Sequence, residues 1–146
     1  MVGRRSDGSA GTGPILVAVD VATDSTAAGR MAADLALTLG RPLLLFSALS
    51  PQADNLAARL DERTDELERL ASLLRAHHGV EAQVMTRLAD DPAVAIVAAA
   101  RDRDAALLVL ATHGRRGVAR WLQGSVAERV ARTATTPVVS LRLRSA

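Results

Sequence analysis

The segment from Ala111 to Ser125 combines residue types that bind phosphate. Its three glycines would let the backbone approach an anion closely, and a helix beginning at Ser125 would direct free N–H groups and the positive end of its dipole at that anion. Arginines would add charge and bidentate donors. The residues concerned are Gly114, Arg115, Arg116, Gly117, Gly124 and Ser125. Spacing alone leaves open a second interpretation, in which the glycines only bend a loop and the arginines are solvated.

The composition excludes several other chemistries. The chain has no cysteine and no lysine, so thiolate chemistry, Schiff bases and the lysine of a Walker-type phosphate loop are all ruled out. His113 lies in the segment, but no serine occupies a G-x-S-x-G elbow that would pair with it as a nucleophile. His77 and His78 lie at a helix end without a carboxylate cluster around them. We therefore predict no catalytic residue and no metal site built from protein side chains.

Charge is distributed unevenly along the chain. From Arg115 onwards there are seven arginines and one acidic residue, a net charge of +6, whereas residues 1–114 carry −4. A basic segment attracts nucleic acid, or phosphate on a small ligand. Because Phe46 and Trp121 are the only aromatic residues, bases of a nucleic acid would find few rings on which to stack. We therefore expect a small anionic ligand rather than a nucleic acid.

Five apolar runs predict the strands that would position this segment. They are Ile15–Val19, Leu43–Leu49, Val80–Thr86, Ala105–Ala111 and Pro137–Leu143. Helical stripes of apolar residues lie between them. The predicted helices run from Ser25 to Gly40, from about Asp54 to His78, from Pro92 to about Arg101, and onwards from Gly124-Ser125. Asp91 before Pro92 is a helix-start signature, in which Asp91 is the cap; Asp90 and Asp91 could instead hold Mg²⁺, but we favour the cap.

Alternation of five strands with four helices predicts an α/β domain. Right-handed crossovers would give an open, mostly parallel, five-stranded sheet with helices on both faces, which is a Rossmann-like architecture. Residues 1–13 are rich in Gly, Ser and Thr and are expected to form a flexible tail, leaving residues 14–146 as one domain. Ligands of such sheets bind beyond the carboxyl ends of the strands. The segment 111–125 follows the fourth strand at that edge, which favours the phosphate-binding interpretation.

The same segment resembles a known family signature. Thr112-His113-Gly114, followed by nine residues and then Gly124-Ser125, is similar to the G-x2-G-x9-G-S/T motif of the universal stress protein family, with Ala111 in place of the first glycine. The resemblance extends from Ile15 to about Leu143. It includes an opening strand that ends at Asp20 and the helix start after Asp91.

This resemblance implies an adenine nucleotide as ligand and a fold of the adenine nucleotide alpha hydrolase type. In the nucleotide-binding branch of the family the loop wraps the phosphates and ribose of ATP, an aspartate at the position of Asp20 faces the adenine and ribose, and main-chain groups of the second strand contact the adenine, here at Phe46 or Ser47. The implied binding residues are Asp20, Phe46, Ala111, His113, Gly114, Arg115, Gly124, Ser125 and Val126. The implied role is that of a stress-response regulator with a nucleotide-dependent surface, with Mg²⁺ as a counterion of ATP and at most slow hydrolysis.

Two departures from the signature keep an alternative open. Ala111 replaces a glycine, which costs little if φ is negative there and is unfavourable if φ is positive. Val21-Ala22 stands where relatives often carry Gly-Ser, so one hydroxyl near the adenosine is lost. Both favour a universal stress protein that does not bind ATP and acts as a dimeric interaction module. An enzyme acting on nucleotides is a third possibility, which the absence of Lys disfavours.

The resemblance also implies a homodimer. The last predicted strand, Pro137–Leu143, is apolar and would lie at a sheet edge, where an unpaired strand invites pairing with a second copy. No apolar run reaches the ~20 residues of a membrane helix, and the N-terminus has no pattern of a secretory signal. We therefore expect a cytoplasmic protein without membrane partners.

Overall fold

The computed structural model describes residues 11–19, 25–113 and 125–143, and its elements alternate as predicted. The strands are β1 (Ile15–Ala18), β2 (Leu43–Leu49), β3 (Ala82–Leu88), β4 (Leu107–His113) and β5 (Val138–Leu143). The helices are α1 (Ser25–Leu39), α2 (Leu56–His78), α3 (Pro92–Asp102) and α4 (Ser125–Thr133).

All five strands form one parallel sheet in the order β3-β2-β1-β4-β5. The chain first builds outwards from β1 through β2 to β3, and then crosses to the other side of β1 to add β4 and β5. The strand order therefore reverses between β1 and β4, where Ala18 lies opposite Leu110. The predicted α/β fold with a parallel sheet is confirmed, and the sheet is parallel throughout.

Two strands begin and end two residues later than predicted. Before β4, the N–H of Ala105 donates to the carbonyl of Ala100 at the end of α3, and the N–H of Ala106 donates to the carbonyl of Pro14. Before β3, Gly79 adopts a left-handed conformation with φ of 66° and ends α2, and the next residues cross to the sheet. These connecting residues are apolar enough to resemble strand residues in sequence. Helix α2 begins at Leu56 rather than near Asp54, because Asn55 before it is left-handed.

The helix start after Asp91 is as predicted. The Asp91 Oδ1 atom accepts from the N–H groups of Ala93 at 3.1 Å and Val94 at 3.4 Å, and Pro92 occupies the first turn. An aspartate cap satisfies two of the N–H groups that have no partner within the helix. The start of α3 is therefore fixed by its own sequence.

Each face of the sheet is covered by two helices. On one face, α1 and α2 cover Ile15, Val17, Leu43 and Leu45 with Ala32, Ala33, Ala36, Leu67, Leu70 and Leu74. On the other, α3 and α4 cover Leu16, Leu44, Phe46, Leu108 and Leu110 with Ala93, Ala95, Ile96, Ala99, Ala100 and Val130. The strands carry apolar residues on both sides, as a sheet covered on both faces requires.

We call the edge where the five strands begin the amino edge and the opposite edge the carboxyl edge. At the amino edge, the Gly13 N–H donates to the Asp104 carbonyl at 2.7 Å, and the N–H and hydroxyl of Thr12 donate to the Asp104 carboxylate at 2.9 and 2.8 Å. The Arg41 guanidinium donates to the Thr12 carbonyl. These contacts hold Thr12 and Gly13 against the domain whose start we predict at residue 14.

Candidate functional site

The two strands that precede the predicted site segments are neighbours in the sheet. β1 pairs with β4, and Ala18 at the end of β1 lies opposite Leu110, three residues before the end of β4. α4 is the next element after β4 and begins at Ser125. Open α/β sheets bind ligands at this kind of point, where the strand order reverses. Four of the predicted site residues, Asp20, Gly114, Arg115 and Gly124, lie outside the described residues.

The backbone of β4 shows whether alanine is tolerated at position 111, where the family signature has a glycine. Ala111 lies within β4 opposite Leu141, and His113 is the last residue of the strand, opposite Leu143. Among the described residues other than glycine, only Asn55 and Asp104 have positive φ. Ala111 therefore has the extended backbone that any L-residue adopts without strain. The alanine carries no conformational penalty at this position of the motif.

Phe46 is built into the sheet rather than exposed at its edge. Its side chain is wholly buried among residues of the α3 and α4 face, and its carbonyl accepts from the Val19 N–H at 2.7 Å. β1 pairs with β2 only as far as Phe46. Because alternate residues of a strand direct their main-chain groups to the same neighbour, Ala48 is the next residue of β2 whose groups face the side of β1. Ala48 is thus a better position than Phe46 for contact with a base.

A buried serine and an arginine from α2 lie beside Ala48. The Ser47 side chain is wholly buried, and its Oγ atom accepts from the Arg63 guanidinium at 2.7 Å. The same Arg63 nitrogen lies 3.3 Å from the Ala48 carbonyl. Ser47 is thus held towards α2, and Arg63 ties that helix to the end of β2. The sequence gives no signal for this contact, because Arg63 lies in a charged stretch that is typical of a solvated helix face.

The first turn of α4 lies towards the carboxyl edge, because the helix follows β4 and leads back to the start of the parallel strand β5. Ser125 is the first residue of the helix, and Val126 is half-buried against the α3 and α4 face of the sheet. The Val130 side chain is wholly buried one turn later. The first N–H groups of any helix have no partner within it, and they carry the positive end of its dipole. This end of α4 is suited to an anion.

A bidentate ion pair joins the start of α3 to the middle of α4. The two guanidinium nitrogens of Arg129 donate to the two carboxylate oxygens of Asp91 at 3.1 and 2.6 Å. These hydrogen bonds, supported by the charge of Arg129 and by the N–H groups of Ala93 and Val94, lower the pKa of Asp91 against a smaller opposing effect of desolvation. The same contact raises the pKa of Arg129. Asp91 is therefore a helix cap and an ion-pair partner, and both its oxygens are engaged.

In the part of the chain that the structure describes, no three His, Asp or Glu side chains gather as they would around a metal ion. No helix in these described ranges is both long enough and apolar enough to cross a membrane.

Comparison with known proteins gives one family. The model of the universal stress protein family matches residues 11–142. A universal stress protein from Archaeoglobus fulgidus, solved in complex with dAMP, is 27% identical with a TM-score of 0.71; the match covers 88% of this chain and 96% of that one. A universal stress protein in complex with cAMP is also 27% identical, with a TM-score of 0.64, and the match covers 94% and 100%.

A third structure supports the fold alone. The universal stress protein UspA from Lactobacillus plantarum has a TM-score of 0.75 at 20% identity, and the match covers 92% of this chain and 100% of that one. A search of curated proteins found no match.

Proposed function

The chain belongs to the universal stress protein family, and from this premise we propose that it binds an adenine nucleotide at the carboxyl edge of its sheet. One observation carries the proposal. α4 begins with Ser125 of the signature, and it follows β4 and leads back to the start of the parallel strand β5, so its N-terminus points towards the carboxyl edge. A helix N-terminus in that place presents N–H groups and a positive dipole end to a phosphate.

Each part of the nucleotide has a proposed partner. Asp20 and the end of β2 receive the adenosine, with Ala48 and Ser47 added to Phe46 as candidates. Gly114, Arg115 and Gly124 of the signature receive the phosphates together with Ser125 and Val126, and Ala111 and His113 lie in the strand that precedes them. The dAMP and cAMP complexes of the two relatives support an adenine nucleotide as the class of ligand.

We propose ATP, with Mg²⁺ as its counterion, as the ligand of this chain. Its role would be that of a cytoplasmic stress-response regulator whose surface depends on the bound nucleotide, with hydrolysis slow at most. The unstrained backbone of Ala111 supports this proposal, because the departure from the signature does not distort the strand that enters the loop.

Calorimetric titration of nucleotide-free protein with ATP and Mg²⁺ tests the proposal. Gly124→Val should abolish binding, because a β-branched side chain would block close approach of the backbone to a phosphate. Ser125→Ala should weaken binding about tenfold, since it removes one hydroxyl donor to an anion. The matched control is Ser140→Ala on β5, where the serine is exposed and the strand is separated from β1 by β4. Absence of heat with the unmutated protein would contradict the proposal.

Dimerisation is a separate proposal, which fits both the ATP-binding function and the alternative, a dimeric interaction module that does not bind ATP. β5 is an edge strand, paired with β4 on one side only within the chain. Its Val138, Val139 and Leu141 side chains are only partly buried. An apolar edge strand pairs readily with another strand, so we propose a homodimer through this strand. Light scattering that finds only monomer at micromolar concentration would contradict the dimer.

A further inference from the structure

The Asp91–Arg129 ion pair has the geometry of a clamp between two helices. It is bidentate, and both side chains are partly exposed, at 39% for Asp91 and 43% for Arg129. Two parallel hydrogen bonds fix the orientation of a guanidinium more tightly than one does. The carboxylate is itself held, because Oδ1 also accepts from Ala93 and Val94 at the start of α3. Arg129 is thereby fixed to a rigid point on α3.

Few other contacts of α4 could perform the same task. α4 has nine residues, and Val130 is its only wholly buried side chain among those described. The other described ion pair of α4 joins Arg132 to Glu128 within the helix, at 3.9 Å and with both side chains largely exposed. Such a pair cannot set the position of the helix on the domain. The clamp is thus the main polar tie from α4 to a neighbouring element in the described structure.

The clamp lies close to the end of α4 that we assign to phosphate. Arg129 is four residues from Ser125, and therefore about 6 Å along the helix axis from its start. A bidentate tie at that distance restricts how the start of α4 can move relative to α3.

We propose that Asp91 and Arg129 are positioning residues for the phosphate end of the nucleotide. This inference rests on the proposed nucleotide binding. The clamp holds the first turn of α4 in the direction that a phosphate requires, so the ligand does not have to order the helix on binding. In this role Arg129 acts through the helix, as the partner that ties α4 to Asp91.

The test compares nucleotide affinities of clamp variants by calorimetry at a temperature where each variant is folded. Arg129→Gln should weaken ATP binding roughly fivefold, a change typical of breaking one coupled pair. Asp91→Asn should have a similar effect while keeping a side-chain oxygen for the helix cap. The double variant should be no weaker than either single one. Arg132→Gln, the matched control on the same helix, should bind as the unmutated protein does.

Adenosine separates positioning of the phosphate site from general loosening. It has no phosphate, so its affinity should be unchanged in Arg129→Gln while that of ATP falls. Arg129→Lys keeps the positive charge but cannot make two parallel hydrogen bonds to Asp91. Its ATP affinity should therefore lie between that of the unmutated protein and that of Arg129→Gln. The lysine variant replaces the glutamine variant in the test if the latter does not fold.

Three results would overturn the inference. Unchanged ATP affinity in the clamp variants would show that α4 is positioned without the pair, and equal losses for ATP and adenosine would show a structural role only. In both cases the unmutated protein still binds ATP, so the proposed function stands. If the unmutated protein binds no nucleotide, the proposed function fails, and this inference fails with it.

Discussion

The amino and carboxyl edges of the sheet are held by different groups of residues. At the amino edge, Gly13 and Thr12 bind Asp104, and the guanidinium groups of Arg41 and Arg75 donate to the carbonyls of Thr12 and Ala82. At the carboxyl edge, Arg63 reaches the end of β2, and Arg129 reaches the start of α3.

We therefore expect changes at the two edges to affect different properties, the stability of the fold at the amino edge and nucleotide affinity at the carboxyl edge. The ties at the amino edge lie at the opposite side of the sheet from the proposed nucleotide, so changes there should lower the free energy of unfolding and leave nucleotide affinity unchanged. The ties at the carboxyl edge hold the strand and helix ends to which we assign the nucleotide. Changes there should lower affinity more than stability.

Gly13→Ala should cause the largest loss of stability. A Cβ atom at Gly13 would lie 2.2 Å from the Arg103 carbonyl oxygen and 2.7 Å from that of Asp104, so the backbone would have to shift. We expect the free energy of unfolding to fall by about 3 kcal/mol in a denaturant titration. The control is Gly40→Ala, where nothing lies within 4 Å and only the positive φ of 64° costs energy, about 1 kcal/mol. An equal loss in both variants would contradict the tight packing of this edge.

Asp104→Ala should lower the free energy of unfolding by about 2 kcal/mol, because it removes both acceptor bonds to Thr12 and places alanine at φ of 53°. Asp104→Asn keeps an acceptor oxygen and tolerates this backbone conformation, so its loss should be smaller. Both variants should keep the nucleotide affinity of the unmutated protein in calorimetry. A loss of affinity in folded Asp104→Asn would contradict the claim that residues of the amino edge contribute to stability and not to nucleotide binding.

Arg63→Met, unlike the variants at the amino edge, should lower nucleotide affinity more than the free energy of unfolding. Without the guanidinium, the Ala48 carbonyl and the Ser47 hydroxyl lose a donor at the end of β2. We expect nucleotide affinity to fall roughly threefold, which corresponds to the loss of less than one full hydrogen bond. Arg59→Met, an exposed position on the same helix, is the control and should have no effect. Unchanged affinity in Arg63→Met would remove Arg63 and Ala48 from the site.

The smallest expected effect is the pH dependence of the stability that the Asp91–Arg129 ion pair contributes. The pKa of Asp91 in the folded protein is below its ordinary value of 3.8, chiefly because of the hydrogen bond from Arg129. The stability from this pair is therefore fully present above the ordinary pKa, and it is lost as the pH falls through the lowered one. The difference in unfolding free energy between the unmutated protein and Arg129→Gln should be constant from pH 7 to about pH 5 and shrink below about pH 4. A difference that grows towards acid would contradict the assignment.

Much of the fold could be predicted from the sequence because the signals were local. Apolar runs marked all five strands, and Asp91 before Pro92 marked the start of α3. The two-residue offsets of β3 and β4 could not be predicted, since they depend on hydrogen bonds with distant residues such as Pro14.

The site could be predicted only in outline for the same reason. The partner of Asp91 is Arg129, 38 residues away, and nothing in either local pattern points to the other. Burial of the Phe46 carbonyl and side chain depends on Val19 and on the α3 and α4 face, so the sequence could indicate the right strand but not that Ala48 is better placed.

An NMR titration of the labelled protein with ATP and Mg²⁺ tests most directly the claim that a nucleotide binds at the carboxyl edge. The amide signals of Val19, Ala48 and Val126 should shift on binding, whereas those of Gly13 and Ala106 at the amino edge should not. Shifts confined to the amino edge, or no shifts at millimolar nucleotide, would contradict the account.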